Sequence, residues 1–165
     1  MTEDANSYPA AGKTSSRAGL GLSLKGRALR YLAAREYSRV ELERKLKPHA
    51  ESTEQLAQTL DDLQAKDFIS EARVVESVIN RRAAKFGAAR VKHELMGKGL
   101  QAELVAQAVS KLKATEVERA REIWLRKFAG PAPDAAGRAK QMRFLTARGF
   151  SSDTIRKAMA RLKED

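Results

Sequence analysis

The residues that could support catalysis or metal binding are few and widely spaced. The chain of 165 residues has no cysteine and only two histidines, His49 and His93, so it offers neither a thiol nucleophile nor a histidine-built metal site. His93-Glu94 lacks the second histidine that a zinc protease helix carries. Asp61 and Asp62 are adjacent, and adjacent helical residues do not face each other. We therefore predict no catalytic residue, no metal site and no cofactor, in a protein that is not an enzyme.

A short segment, Met96–Gly99, contains two glycines and a lysine, residue types that can cradle a phosphate group. The phosphate-loop pattern G-x-x-x-x-G-K-[ST] is absent, and no strand precedes the segment. Gly99 is well suited to end a helix, because glycine adopts positive φ at little cost. The pattern therefore predicts a helix C-cap here and not a phosphate site.

Positive charge is the chemical property that distinguishes this chain, whose formal net charge is +11. The excess lies in the last two-thirds. Residues 71–115 hold 9 basic and 4 acidic residues, and residues 116–165 hold 12 and 7, whereas residues 26–70 hold 8 of each. Such a field favours a polyanion, or a protein–polyanion assembly, as the partner. Solubility alone is the alternative purpose.

The basic residues concentrate on helices that precede the predicted turns. If repeated modules stack in one direction, equivalent positions line up and form a cationic track. Scattered solvated charge is the alternative interpretation. The candidate binding residues are Arg81, Arg82, Lys85, Arg90, Lys92, Lys98, Arg126, Lys127, Arg138, Lys140, Arg143 and Arg148.

The elements that must position these side chains are related by an internal repeat. Leu95–Leu112 aligns without gaps with Leu145–Leu162 at an offset of 50 residues. Leu46–Leu63 aligns with Leu95–Leu112 at an offset of 49 residues. In each copy, apolar residues at i, i+4 and i+7 form one helix stripe. Gly99 and Gly149 mark the tight turn in two copies, so each copy predicts a helix–turn–helix unit.

One longer helix precedes each copy, which completes a three-helix module. The pattern predicts an all-α fold of three tandem three-helix repeats that form an elongated, curved array. The preceding helices are expected at about 24–36, 71–85 and 116–129. The predicted divisions are a flexible leader at 1–22 and repeats at 23–69, 70–114 and 115–165.

Local signals refine this prediction. Capping boxes, in which a cap hydroxyl and a later carboxylate or amide satisfy main-chain N–H groups, are predicted at Ser38–Glu41, Ser52–Gln55 and Thr115–Glu118. Trp124 shares a helical stripe with apolar residues, so it is predicted to anchor the core and not to stack on a base. Met142 is expected to help fill the core of the third module.

Each module also resembles a helix-turn-helix, the element that reads DNA sequence in many proteins. A reader presents Arg, Asn or Gln on the outer face of its second helix. The third module offers Arg156, Lys157 and Arg161 there, whereas the first is acidic at Asp61 and Asp62. Since any compact three-helix bundle needs such a turn, sequence-specific reading is the less favoured hypothesis.

Several short segments form a specific pattern when they are taken in order and with their spacing. They are Ala28–Leu32 with Arg35–Ser38 and Glu41-Leu42, Glu94-Leu95 with Lys98–Leu100, and Phe144-Leu145 with Arg148–Ser151. Together these segments resemble the RecX family, and the resemblance covers about Gly26 to Leu162. The chain departs from the family's Asp-x-x-Phe/Tyr-Ala pattern at the start of the second module, where it has Glu71 and Val74-Val75.

The resemblance implies an array of three-helix repeats that binds the RecA–DNA filament and restrains its recombinase and coprotease activities, within DNA repair, homologous recombination and the SOS response. It implies the RecA filament as partner, with non-specific binding to single-stranded DNA, and no catalytic residues. We also predict a cytoplasmic location, because the chain has no signal peptide and no apolar run long enough for a membrane helix. The protein is predicted to be a monomer. The alternative is a non-specific DNA-binding protein of helix-turn-helix-like modules that acts without a recombinase.

Overall fold

The computed structural model describes residues 21–160, and their secondary structure consists of helices and turns. The predicted leader lies outside the described residues except for its last two positions, and so does Leu162 of the third repeat. Over the described part of the chain the all-α prediction is confirmed.

The first module contains α1, α2 and α3, with one short 3₁₀ turn where Pro48 ends the second helix. Ser38 caps α2 with the predicted capping box, since its hydroxyl accepts from the Glu41 N–H and the Glu41 carboxylate accepts from the Ser38 N–H. Ser52 caps α3 by accepting from the Gln55 N–H, but the Gln55 side chain accepts from the Glu51 N–H and not from that of Ser52, so the predicted capping box forms only in part. The bounds are Leu24–Ala34, Arg39–Leu46, Lys47–His49 for the 3₁₀ turn, and Thr53–Ala65.

The second module contains α4 (Glu71–Arg82), α5 (Ala88–Gly97) and α6 (Ala102–Ala114). Ser70 caps α4, with its hydroxyl accepting from the Arg73 N–H. Gly99 ends the turn after α5 at a φ of 67°, which confirms the predicted C-cap.

The third module contains α7 (Glu116–Phe128), α8 (Ala135–Ala147) and α9 (Ser152–Ala160). The capping box predicted at Thr115 is wrong. The Thr115 hydroxyl donates backward to the Leu112 carbonyl, because α6 runs into α7 with almost no loop to free the cap residue. Gly149 closes α8 at a φ of 88°.

Each module holds its own apolar cluster, built from the stripes that the repeat predicted. Leu56, Leu60 and Leu63 are buried in the first, and Trp124 lies at the centre of the third, where its role as a core anchor is confirmed. The exact module boundaries stay predictions. Within the described residues, no helix is long and apolar enough to cross a membrane.

The modules meet in serial order, and two junctions repeat one packing geometry. At the first junction, between the first and second modules, the Gly99 turn lies so close to Val40 that a Cβ on Gly99 would approach the valine Cγ2 to 2.5 Å. At the second junction, between the second and third modules, a Cβ on Gly149 would approach Arg90 Cβ to 2.6 Å. Val40 and Arg90 are 50 positions apart, as are the glycines, so each turn packs against the start of the preceding module's middle helix.

Candidate polyanion-binding groove

A groove of about 250 Å³ lies between the second and third modules, beside the second junction. It is open to solvent, and basic and aromatic side chains contribute most of its rim. We call it the junction groove. Its lining residues are Ala84, Lys85, Phe86, Ile123, Arg126, Lys127, Phe144 and Arg148.

Helix ends position the cations of the junction groove. Lys85 follows the C-terminus of α4, whereas Arg126 and Lys127 occupy the last turn of α7, where cations complement the helix dipole. These three side chains are exposed, and within the described part of the chain they form no ion pair. Their charge is therefore available to an anionic ligand.

Two arginines stack on the aromatic rings of the groove. The guanidinium carbon of Arg90 lies 4.1 Å from the Phe86 ring centroid, and that of Arg148 lies 3.9 Å from the Phe144 centroid. Phe128 holds Phe144 edge-on at 5.1 Å. Cation–π contacts fix the guanidinium planes, and such planes can stack on nucleic-acid bases. The groove thus combines free charge for phosphates with flat surfaces for bases.

The remaining candidate residues lie away from this rim or are engaged. Arg81 and Arg82 both pair with Glu94, at 3.9 and 2.9 Å. Arg138 donates to the carbonyls of Ala132 and Pro133, which ties down the loop before α8.

Three other candidates remain. Lys140 and Arg143 are exposed on α8, and Lys92 lines a separate groove of the second module. Of the predicted set, the structure brings Lys85, Arg126, Lys127 and Arg148 together, with Arg90 stacked alongside.

Lys98 has a different environment from the other candidates. It is only 9% exposed, and its Nζ lies 2.7 Å from Glu41 Oε1 across the first junction. Burial alone raises the pKa of Glu41, but the hydrogen bonds from Lys98 and the Ser38 N–H, with the charges of Lys98 and Arg35, outweigh burial and lower that pKa below its usual range. We therefore assign Lys98 to module packing and leave it out of the binding surface.

Two junction residues were missed by sequence reasoning. Glu116, 8% exposed, accepts hydrogen bonds from the Ala88 N–H at 2.9 Å and from the Thr154 hydroxyl at 3.0 Å. Arg119 donates to the carbonyls of Ala83 and Phe86 at 2.9 and 2.8 Å. The only sequence feature that pointed to Glu116 was its place just after Thr115, and we had attributed the acidic residues there to a capping box. These contacts fix the third module against the end of α4 and thereby shape the groove.

One expectation for α8 is wrong. Met142 is 43% exposed, and Gln141 is the residue that points inward. The Gln141 amide donates to the Gly130 carbonyl and accepts from the Ala132 N–H, so it supplies partners to the buried side of the Gly130–Pro133 loop. A buried polar side chain is favourable where main-chain groups need partners.

The outer face of α9 offers little to a base edge. Arg156 and Lys157 both pair with Asp153, at 2.6 and 2.7 Å. Although such exposed pairs are weak, the one carboxylate offsets part of the positive charge that a sequence-reading helix would present. The helix-turn-helix reading hypothesis gains no support from this geometry.

These features define a class: a helical-repeat protein of three-helix modules whose basic groove suits an anionic partner. Comparisons with known proteins agree with the division into three-helix modules. Residues 25–68 match the first three-helix domain of RecX, and residues 114–159 match the third.

Curated relatives of this chain carry the name Regulatory protein RecX, among them proteins from Leptothrix cholodnii and Herminiimonas arsenicoxydans. The one from Leptothrix cholodnii is 56% identical over 138 residues, covering 84% of this chain and 88% of the relative. The one from Herminiimonas arsenicoxydans is 51% identical over 146 residues, covering 88% and 96%. The chain therefore belongs to the RecX family of regulatory proteins.

A solved structure agrees with the fold. The crystal structure of RecX from Lactobacillus salivarius superimposes with a TM-score of 0.71 at 21% identity, covering 86% of this chain and 96% of that one. The three-helix repeat architecture predicted from the sequence is therefore confirmed.

Proposed function

We propose that this protein binds the RecA–DNA filament and restrains its recombinase and coprotease activities. The observation that supports this most directly is the junction groove, where the unpaired Lys85, Arg126 and Lys127 adjoin two arginine–phenylalanine stacks. Cations along a groove suit a phosphate backbone, and aromatic and guanidinium planes suit unpaired bases. Single-stranded DNA within a filament supplies both.

The serial arrangement of modules supports action on an assembly of several subunits. A filament repeats its binding surface along its length, so modules that each bind weakly gain affinity once the first is bound, through effective concentration. We expect inhibition at well below one molecule per recombinase subunit. The proposal requires no catalytic residue and no cofactor, and it describes a cytoplasmic monomer.

The test is a RecA ATPase assay on single-stranded DNA, run with and without substoichiometric amounts of this protein. The variant Lys85→Glu/Arg126→Glu/Lys127→Glu should lose most of the inhibition, because it reverses the free charge of the groove. Its melting temperature should change little, since all three side chains are exposed.

A matched control reverses the same number of charges elsewhere. Arg30, Arg44 and Lys47 are exposed basic residues of the first module. The control Arg30→Glu/Arg44→Glu/Lys47→Glu should retain most of the inhibition. No inhibition by the unchanged protein, even at equimolar amounts, would overturn the proposed function. Equal losses in both triple variants would mean that net charge acts and not the groove.

Non-specific DNA binding without a recombinase is the second candidate, and the same groove favours it. The two candidate functions differ in whether the protein prefers the filament to free single-stranded DNA. A filament regulator binds the filament more tightly than free single-stranded DNA, whereas a simple DNA-binding protein shows no such preference. In both cases affinity for free DNA should fall steeply with salt, because phosphate neutralisation releases counterions.

A further inference from the structure

A second groove lies within the second module, between α5 and α6, and its walls are mainly apolar. Its volume is about 640 Å³, and we call it the α5–α6 groove. Met96, Leu100, Val105 and Val109 contribute to it, and Met96 is 62% exposed. A pocket of this size can hold several partner side chains, and an exposed methionine on such a rim adapts to varied shapes.

The repeat provides an internal comparison for this groove. The first module has a groove at the equivalent place, about 350 Å³ in volume, between α2 and α3. Its lining includes Arg39, Glu43 and Lys47, and Arg39 pairs with Asp61 at 2.6 Å. The repeated fold therefore produces the cleft in both modules, but in the first module charged side chains line it and pair beside it.

The charges differ in sign as well as in number. At the offset of 49, Glu43 of the first module corresponds to Lys92 of the second, and Lys47 corresponds to Met96. Lys92 and Lys113 both line the α5–α6 groove, and no acidic side chain of the described part of the chain lines it. The groove thus offers an apolar floor with two cations, which complements an apolar segment that carries carboxylates.

The lining favours a protein ligand over nucleic acid. Among residues 21–160, no aromatic side chain lines the α5–α6 groove, so these residues offer bases no ring on which to stack. Apolar walls also favour hydrophobic side chains and not sugars or phosphates. This is the chemistry of recognition in which an amphipathic helix lays its apolar face into a groove.

We propose that the α5–α6 groove binds an amphipathic segment of the recombinase, whose apolar side chains fill the groove and whose carboxylates pair with Lys92 and Lys113. This inference rests on the proposed function. It assigns contacts with protein and contacts with DNA to different surfaces: the α5–α6 groove meets the recombinase, and the junction groove meets the single strand.

The decisive variant changes the shape and polarity of the groove without changing its charge. In the double variant Met96→Gln/Ala106→Gln, the first change makes an exposed apolar side chain of the lining polar, and the second puts a larger polar side chain in place of alanine. Glutamine is a good helix former, so both helices should be retained. We expect at least about a fivefold loss of affinity for RecA filaments on poly(dT), since buried anchor residues dominate interface energies. Affinity for free poly(dT) should stay unchanged.

The matched control uses equivalent or similarly exposed positions. Ala57 occupies in the first module the place of Ala106, and it also lines a groove. The control Ala57→Gln/Met142→Gln should leave both affinities unchanged. Circular dichroism spectra and melting temperatures of both double variants should match those of the unchanged protein, because all four side chains are exposed.

Each other outcome overturns a defined statement. If Met96→Gln/Ala106→Gln binds filaments normally, the groove is not the recombinase site, and the proposed function still stands. If that variant loses affinity for free poly(dT) equally, the groove is a nucleic-acid surface and the inference fails. If the unchanged protein does not bind filaments at all, both the inference and the proposed function fail.

Zero-length carbodiimide crosslinking tests the charge complementarity separately. The reagent joins a lysine amine to a carboxylate in direct contact. On filaments, Lys92 or Lys113 should crosslink to Asp or Glu of the recombinase, as identified by mass spectrometry. Recombinase crosslinks that occur only at other lysines, with none at Lys92 or Lys113, would contradict the assignment.

Discussion

Ion pairs between side chains link the modules at the first junction, whereas hydrogen bonds to main-chain groups link them at the second. At the first, Lys98 pairs with Glu41 at 2.7 Å, and Arg73 pairs with Glu36 at 3.1 Å. At the second, the Gly87 N–H donates to the Arg148 carbonyl at 2.8 Å. Glu116, Arg119 and Thr154 add further hydrogen bonds there.

This difference has a physical consequence for each junction. The ion pairs of the first junction respond to pH, because protonation of a carboxylate removes its charge. A buried hydrogen bond between two main-chain groups involves no ionisable group, and it is costly to break. The second junction is also the one that shapes the junction groove. We infer that hydrogen bonds to the main chain hold the second junction, which positions the junction groove, in one orientation. The two modules of the first junction can change their relative orientation more easily.

The largest expected effect comes from crowding the second junction. A Cβ on Gly87 would overlap the main chain of Gly149 and Phe150, which cannot move aside as a flexible side chain can. Gly87→Ala should lower the free energy of unfolding by about 3 kcal/mol, measured by urea denaturation. Gly97→Ala at the other end of α5 is the control, because a Cβ there meets nothing within 4 Å. Equal stability of the two variants would refute the close packing of this junction.

Removing the buried carboxylate of the second junction should have the next largest effect. Glu116→Ala leaves the buried Ala88 N–H without its acceptor, so unfolding free energy should fall by about 2 kcal/mol. The control is Glu122→Ala, which removes an exposed carboxylate from the same helix. Hydrogen exchange at Ala88 should accelerate only in the Glu116 variant. If exchange there is unchanged, another group accepts that hydrogen bond.

The first junction should be the pH-sensitive one. Glu41 has a lowered pKa in the folded protein, so its contribution is complete above the unfolded glutamate pKa of about 4.3. That contribution is lost as pH falls through the lowered folded value. Acid should therefore cost about 1 kcal/mol here, with solvent screening allowed for. Glu41→Gln should flatten the stability profile below about pH 5, in the acidic range where the carboxylate would otherwise be protonated. Glu43→Gln, an exposed change on the same helix, should leave the profile's slope unaltered.

The fold could be predicted from the sequence to a large extent because its signals are local and repeated. Apolar stripes at helical spacing and the positive-φ glycines at 99 and 149 reflect constraints that act within one module. The predicted binding residues were chosen by charge alone, which does not reveal pairing across modules. Charge alone could not show that Lys98 pairs with Glu41 in a junction, nor that Lys85 and Arg148 line the same groove.

The role of Glu116 could not be inferred from neighbouring residues, because its partners are 28 and 38 positions away. The same is true of Met142, where the period-3.6 pattern predicts burial. The Gly130–Pro133 loop instead requires a polar partner, and Gln141 occupies the inward position. In both cases the burial of a polar side chain depends on hydrogen bonds to groups in another helix or loop. The pattern of neighbouring residues in the sequence does not indicate such hydrogen bonds.

The smallest effect on stability should come from making the second junction resemble the first. Arg90 and Val40 occupy equivalent places against the two turn glycines, and the packing there involves the Cβ atom. Arg90→Val keeps that Cβ atom and loses an exposed hydrogen bond to the Ala147 carbonyl, so unfolding free energy should change by no more than about 0.5 kcal/mol. The change also removes the guanidinium from Phe86. One phosphate contact fewer should reduce the slope of log affinity against log salt, for single-stranded DNA, by about 0.7. Arg30→Val, at an exposed helical site of the first module, should leave that slope unchanged. If both variants reduce the slope equally, the DNA follows the net charge of the array and not the second junction.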